Sequence, residues 1–214
     1  MGRDVVVLIG DIVRSRRMKD RAAVQRKLKK VLEEVNESRG DLIEAEFMLT
    51  SGDSFEGVVR GIGAGYNIFK EIERKLCPIG IRGGIGVGEI ETDWSKSVVE
   101  MDGPTFHSAR RGLSQGKSVK SDLQVITGDK RFDDTINSTL ALLRAVESKW
   151  TERQREIIEY AISHGNLGQA EIAEHFGVTQ PAIAKTLSAA RWRAVKRSRK
   201  FLKDRLREWD EVRR

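Results

Sequence analysis

The chain opens on Val5–Ile9, an unbroken apolar run rich in β-branched residues. Such a run is the pattern of a strand buried on both faces. Asp11 stands at its exit. From Asp20 to Ser38 the apolar positions are Ala23, Val24, Leu28, Val31, Leu32 and Val35, which is helical spacing with charge on the opposite side. Asn36 to Asp41 closes that helix, with Gly40 as its stop. Two short runs, Glu44 to Thr50 and Phe55 to Arg60, flank Ser51-Gly52-Asp53-Ser54 and predict a hairpin. Helical period returns over Gly65 to Leu76 through Ile68, Phe69 and Ile72, and Pro78 ends it. Ile79 to Ile90 reads as a strand, yet it carries Gly80, Gly83, Gly84, Gly86 and Gly88. Glycines at that density predict close approach of a ligand or another backbone.

Ser97 to Met101 is expected to pair back on that strand as an arm. Pro104 starts a helix to about Leu113, Leu123 to Thr127 is a last strand, and a helix runs from about Phe132 to Glu147. The order opens as β-α-β-β-α-β, which predicts an α+β, ferredoxin-like domain with an antiparallel or mixed sheet and helices on one face. From Trp150 the pattern is helical only. Thr151 caps a helix from Glu152 to Ser163, Gly165 breaks it, and Gln169 to Phe176 forms a second. Gly177-Val178-Thr179 turns, and Thr179 caps a third helix carrying Pro181 in its first turn. The expected domains are 1–147, α+β, and 148–214, all-α.

Charge sharpens that division. The 214 residues carry a net +7, of which 148–214 holds +6 and the rest +1. A basic tail behind a neutral module points to a polyanionic partner. An apolar fraction of 39% is enough to fill a core and argues against wholesale disorder. No run approaches a membrane span, and no export signal opens the chain. Met1-Gly2 is followed by Val6 where a myristoylation signal needs Ser or Thr. Cys77, the single cysteine, excludes an internal disulfide and a cysteine zinc cluster. The expectation is a cytoplasmic protein without a membrane partner.

In the tail, QAEIAEHFGVTQPAIAKTL has the layout of a helix-turn-helix. Ala173 is small where the helices cross, and Gly177 permits the turn. Val178, Ile183 and Leu187 are spaced to bury the second helix. Thr179, Gln180, Ala182, Lys185 and Thr186 are then left outward for double-stranded DNA, where Gln reads adenine in the major groove. Lys185 to Arg207 contains ten basic residues and one acidic, with Arg191 and Arg193 among those expected on phosphate. Trp192 and Trp209 read as packing residues. The bland alternative is a three-helix bundle for protein contact. The segment resembles the C-terminal helix-turn-helix of response regulators and of sigma-factor region 4.

In the front module LIGDIV places Asp11 just past the first strand, and LTSGDSF places Asp53 in the hairpin. In a β-α-β-β unit these positions lie on neighbouring strands. Two carboxylates there would hold Mg²⁺, with Mn²⁺ as its substitute, and triphosphate oxygens completing the shell. DGPTFHSARR turns into a helix presenting His107, Arg110 and Arg111, and Arg82 opens the glycine-rich strand toward phosphate or solvent. Taken singly, an Asp after a strand caps a turn, Gly-Asp is a common hairpin pair, and a lone His is a packed one. Gly116-Lys117-Ser118 looks like a P-loop ending, but Gly112 stands one residue too close. The glycine strand lacks the dinucleotide fingerprint, and the histidines lack the context of a nucleophile triad.

At these residues the chain resembles class III nucleotide cyclases, and more distantly GGDEF diguanylate cyclases and polymerase palms, over roughly Asp4 to Thr127. With its tail the whole chain resembles the SatD-like family. The cyclase resemblance implies that Asp11 and Asp53 are metal ligands and that the Ile12 carbonyl also reaches metal. It places His107 where cyclases carry a transition-state Asn and Arg111 at their phosphate Arg, with Arg110 one register away. It also implies a site shared across a homodimer. The chain departs from the cyclase pattern at Leu49, where a base-reading Lys is usual. Glu100 or Asp102 would stand in for the base-reading Asp, and Arg14 and Arg16 replace a small turn after the first Asp. Arg14, with Ile12, Arg82 and Arg110, completes the expected nucleotide-binding set. The leading expectation is a DNA-binding, transcription-regulator-like protein whose front domain senses a nucleotide and dimerises. The alternatives are a Mg²⁺-dependent nucleotide cyclase or nucleotidyltransferase and a degenerate palm-like scaffold.

Overall fold

The glycine-rich strand organises the first of two compact units in the computed structural model, which describes residues 4–165 and 167–213. Met1 and Gly2, named above for lipidation, lie outside the described residues. The units are Met1–Ala141 with Asp204–Arg214, and Leu142–Lys203.

In the first unit, β1 (Val5–Ile12), β2 (Ile43–Ser51), β3 (Ser54–Val59), β4 (Ile81–Gly88) and β5 (Leu123–Ile126) form one sheet in the order β2-β3-β1-β4-β5. β1 is central and antiparallel to both β3 and β4, and β5 adds parallel to β4. The mixed α+β class follows directly from the alternation of periods. α1 (Arg21–Ser38) and α2 (Ile62–Leu76) bury their apolar stripes on one face of the sheet, Leu28, Val31 and Val35 from α1, and Ile68, Phe69 and Ile72 from α2. Asp20 caps α1, accepting from the Ala23 amide at 2.8 Å.

Helices occupy both faces, not the one expected. α3 (Pro104–Val119) lies on the opposite side, its Phe106 and Ala109 packed with Val5, Val7, Ile9 and Val58. The reason is in β4. A Cβ built on Gly84 would stand 2.0 Å from the Ala109 carbonyl oxygen, and one on Gly86 2.3 Å from that of Thr105. Those glycines admit a helix backbone, which settles the choice between ligand and backbone for these two positions. α3 also runs on to Val119, past the expected end near Leu113, because Gly112 and Gly116 pack against the strands and do not stop it.

The arm expected at Ser97 to Met101 does not pair with β4. Residues 98–100 form a single 3₁₀ turn, and Ser97 makes one bridge to Glu46 of β2. Both edge strands meet an asparagine from a helix. The Asn36 amide donates to the Phe47 carbonyl at 3.0 Å and accepts from its N–H at 2.9 Å. On β5, Asn137 of α4 (Lys130–Glu147) bonds the Val125 N–H and carbonyl, both at 2.8 Å. The final turns of α8 (Trp192–Val212) belong to this unit, where the Asp210 carboxylate accepts from the Ile62 and Gly63 N–H groups at the start of α2, at 2.8 and 3.0 Å. Trp209 packs on Phe132 at 4.2 Å.

In the second unit α5 (Glu152–Ser163), α6 (Gln169–His175) and α7 (Gln180–Ala189) surround Ile157, Ile158, Ile172, Ala173, Ile183 and Leu187. Thr151 and Gln154 form a reciprocal capping box. The Trp150 indole N–H donates to the buried Ala190 carbonyl at 2.8 Å.

Adding a methyl at Gly84 forces α3 off the sheet. Gly84→Ala is expected to cost about 1–3 kcal/mol, whereas Gly40→Ala, whose Cβ meets nothing within 4 Å, is expected to be near neutral. Paired urea unfolding curves check this contrast.

Candidate functional site

The charged cluster of the first unit forms where β1 leaves the sheet. Strand alternation turns Asp11 to the α3 face, and its cross-strand partners are Ser54 on β3 and Arg82 on β4. Gly52 and Asp53 make the turn between Ser51 and Ser54, with Gly52 at φ 61°. Asp53 therefore sits one residue from the strand position paired with Asp11. The Gln25 side chain on α1 donates to the Gly52 carbonyl and ties this turn to the helix layer.

Asp11 is largely buried, its side chain 14% exposed. Its Oδ2 lies 2.6 Å from the Lys117 ammonium nitrogen on α3. Its Oδ1 is buried without a hydrogen-bond partner. An unsatisfied buried carboxylate oxygen calls for a ligand, because such a group loses its water without replacement. Among the described residues no group of three or more His, Cys, Asp and Glu side chains assembles for a metal, which disfavours a zinc-type cage. Two carboxylates on adjacent backbone segments fit a hard divalent cation that completes its shell with water and phosphate oxygens. Asp11 and the turn residue Asp53 stand on two such neighbouring segments.

Two residues further along β3, Glu56 shares the Asp11 face, opposite Ile9. Its carboxylate lies 3.5 Å from Arg110, which also reaches Asp102 at 3.3 Å. Burial pushes the Glu56 carboxyl above the usual range, against the pull of Arg110 and a hydrogen bond from Thr50. Asp102 is held below it, first by the Gly103 backbone N–H and then by Arg110.

The expected site residues divide along α3. Arg110 and Lys117, seven residues apart, point to the charged face of the sheet. His107 and Arg111 are exposed, and Arg111 touches Ser108 at 3.4 Å. Within one chain neither is paired with Asp11. The Ile12 side chain is buried in the core, so only its backbone is available to a ligand. Arg14 is exposed and left-handed, φ 58°, at the start of a 3₁₀ turn. Leu49 is half-buried on β2, and Glu100 accepts from Ser95 at 2.6 Å. Glu56 was not singled out in the sequence, and Lys117 was met there only as the ending of a rejected phosphate loop. Lys117 lies past the helix end expected near Leu113, so its place seven residues after Arg110 on one helix was not read.

In the second unit Gly177, φ 61°, turns the chain between α6 and α7. Thr179, Gln180, Ala182 and Lys185 are exposed and Thr186 half-exposed. Two expectations need correction. Val178 is 40% exposed and does not bury α7, because Ile183 and Leu187 already fill that interface. Thr179 occupies the cap position without a side-chain cap bond. The Gln180 amide donates to Gln169 at 2.7 Å. Within the basic stretch Arg191, φ 55°, separates α7 from α8, and both Arg191 and Arg193 are exposed. His175 stacks on Tyr160 at 3.8 Å and His164 packs tilted on it at 4.1 Å, a surface role for both histidines.

The family model described as the SatD family matches residues 5–206. No curated protein matches the chain. Among solved structures, a bacterial light-regulated adenylyl cyclase aligns at 14% identity and TM-score 0.43, over 57% of this chain and 43% of that one. The chain thus spans less than half the length of that protein. A second structure of that description aligns at 13% identity and TM-score 0.45, over 70% of this chain and 81% of its own. The guanylate cyclase domain of RhGC from Catenaria anguillulae, in complex with GTP, aligns at 20% and 0.43, over 52% and 72%. No helix among the described residues is long and apolar enough to cross a membrane.

The raised Glu56 carboxyl carries a pH signature. Its burial is tolerated best when protonated, so its contribution to stability is fully present below the ordinary value of 4.5 and is lost as pH rises through the higher folded value. Glu56→Gln is expected to melt higher than the wild type at neutral pH, with the gap closing below the ordinary value. Melting curves across pH 4 to 8 check it (about two points per unit suffice).

Proposed function

The chain belongs to the SatD family, and we propose that its first unit binds a nucleoside triphosphate with Mg²⁺ or Mn²⁺ and performs nucleotidyl transfer or cyclisation on it. The observation that carries this reading is the buried, partnerless Oδ1 of Asp11, one strand away from the hairpin that holds Asp53. Asp11 and Asp53 hold the cation. When bound, the ion neutralises triphosphate charge and activates the attacking hydroxyl. The hydroxyl oxygen would form a new bond to the α-phosphorus as the bond to pyrophosphate breaks, its proton passing to water. Arg82, cross-strand from Asp11, and the exposed Arg14 supply charge for the phosphate oxygens. Arg110 is engaged by Glu56 and Asp102 and positions the face instead. His107 and Arg111 are turned outward, so under this reading they complete the site of a second copy in a homodimer.

Asp53→Asn is expected to lower metal-dependent pyrophosphate release by about 100-fold or more, since a ligand's removal exceeds the effect of an outer-shell loss. The assay is each of the four labelled triphosphates with Mg²⁺ and with Mn²⁺. Absence of product, and of any metal-dependent thermal shift, with all four would overturn the proposal.

A second reading has its own observation. The exposed Thr179, Gln180, Ala182, Lys185 and Thr186 line the outer side of α7 behind a left-handed glycine turn, and Arg191 and Arg193 follow. This supports double-stranded DNA binding and a regulatory role, with α7 entering the major groove. Lys185→Ala and Arg193→Ala are each expected to weaken binding across sequences and reduce the salt slope by about one. Gln180→Ala would relax sequence preference at a cost of about 1–3 kcal/mol. Mobility shifts at graded salt check both, and a slope unchanged in either basic variant sinks this reading.

A further inference from the structure

Lys117 was singled out by sequence only as the ending of a phosphate loop that does not exist. The fold gives it another position. Its ammonium nitrogen is 2.6 Å from Asp11 Oδ2, while Asp11 Oδ1 stays buried and without a partner. The ammonium therefore pairs with one oxygen of this carboxylate and leaves the other without a hydrogen-bond partner. We propose that Lys117 is a resident counter-cation that a divalent ion must displace from Asp11, and that this exchange sets the metal affinity of the site. The inference rests on the metal-site reading above and adds the residue that regulates it.

Three features make the exchange feasible. First, the α3 backbone packs directly on Gly84 and Gly86, so turning one side chain disturbs less packing than shifting the helix. The exchange proceeds by side-chain rotation. Second, the Lys117 side chain is 48% exposed, so its ammonium has water to enter once displaced. A flexible stem carrying one point charge suits release better than a guanidinium fork would. Third, an ammonium on Oδ2 and a divalent ion on Oδ1 of the same carboxyl would be like charges a few ångströms apart in a partly buried setting, where repulsion is strong. The two cations exclude each other. Arg82, cross-strand from Asp11, adds to the positive field a metal must overcome. Lys117 is thus a positioning residue for Asp11 and a threshold against adventitious ions.

The probe is Mn²⁺ alone, titrated into the full chain without nucleotide and followed by loss of the free-ion resonance signal. Lys117→Met is expected to bind Mn²⁺ about fivefold tighter than the wild type, the scale of a partly exposed ion pair. Lys117→Arg keeps the charge and is expected to bind no tighter than wild type. Asp11→Asn is expected to bind weakest. Melting supplies a second readout. Without metal, Lys117→Met should melt below wild type, since Asp11 then loses its ion-pair partner. Mn²⁺ should raise its melting temperature more than it raises that of the wild type. If wild-type binding depends on Asp11 but Lys117→Met binds no tighter and gains no larger thermal shift, the counter-cation role is overturned and the metal site stands. If neither wild type nor Lys117→Met binds Mn²⁺, the metal site and this inference fall together.

Discussion

The first unit depends on how closely α3 can approach β4. Its carbonyls and amides lie where the side chains of residues 84 and 86 would otherwise stand. Two missing side chains lower a whole helix onto the sheet. That descent fixes which α3 residues meet the strand ends. Arg110 and Lys117 arrive over Glu56 and Asp11, while His107 and Arg111 are carried to the outer side. From that seat Lys117 reaches to within 2.6 Å of Asp11. The chemistry proposed here is therefore set by packing of the backbone before any charge interacts.

On that face two carboxylates of similar burial meet different surroundings. Glu56 has Arg110 and Thr50, and its burial still outweighs them. Asp11 has one ammonium on one oxygen and nothing on the other. The first arrangement is internally settled and reads as scaffolding for α3. The second is incomplete, and incompleteness in a buried polar group is the mark of a place that expects something. This difference, more than the identity of either residue, separates the proposed ligand from its neighbour.

Much of this was legible in the chain. Val5–Ile9, the two-residue turn at Gly52-Asp53 and the stripe on α1 each gave the element that formed, because each couples local propensity to the burial it receives. The Thr151 cap and Gly177 turn were legible for the same reason. What could not be read were relations across the fold. Gly112 and Gly116 look like helix stops unless one knows that strands lie against them. Val178 looks like core unless one knows that Ile183 and Leu187 already fill the space. Asp11 and Asp53 were legible as candidates from their topological slots, whereas the Lys117 contact depends on a helix end that local sequence misplaces.

Asn36 and Asn137 bring a last consequence. Each presents a carboxamide to the backbone of an outermost strand, copying the donor and acceptor of a peptide unit. A neighbouring chain seeking to extend this sheet finds Phe47 and Val125 already spoken for. Fibrillar stacking and strand exchange are disfavoured at these two points. Recruitment of other molecules is thereby directed to side-chain surfaces, where recognition can be selective, and away from the main chain, which would accept any extended peptide.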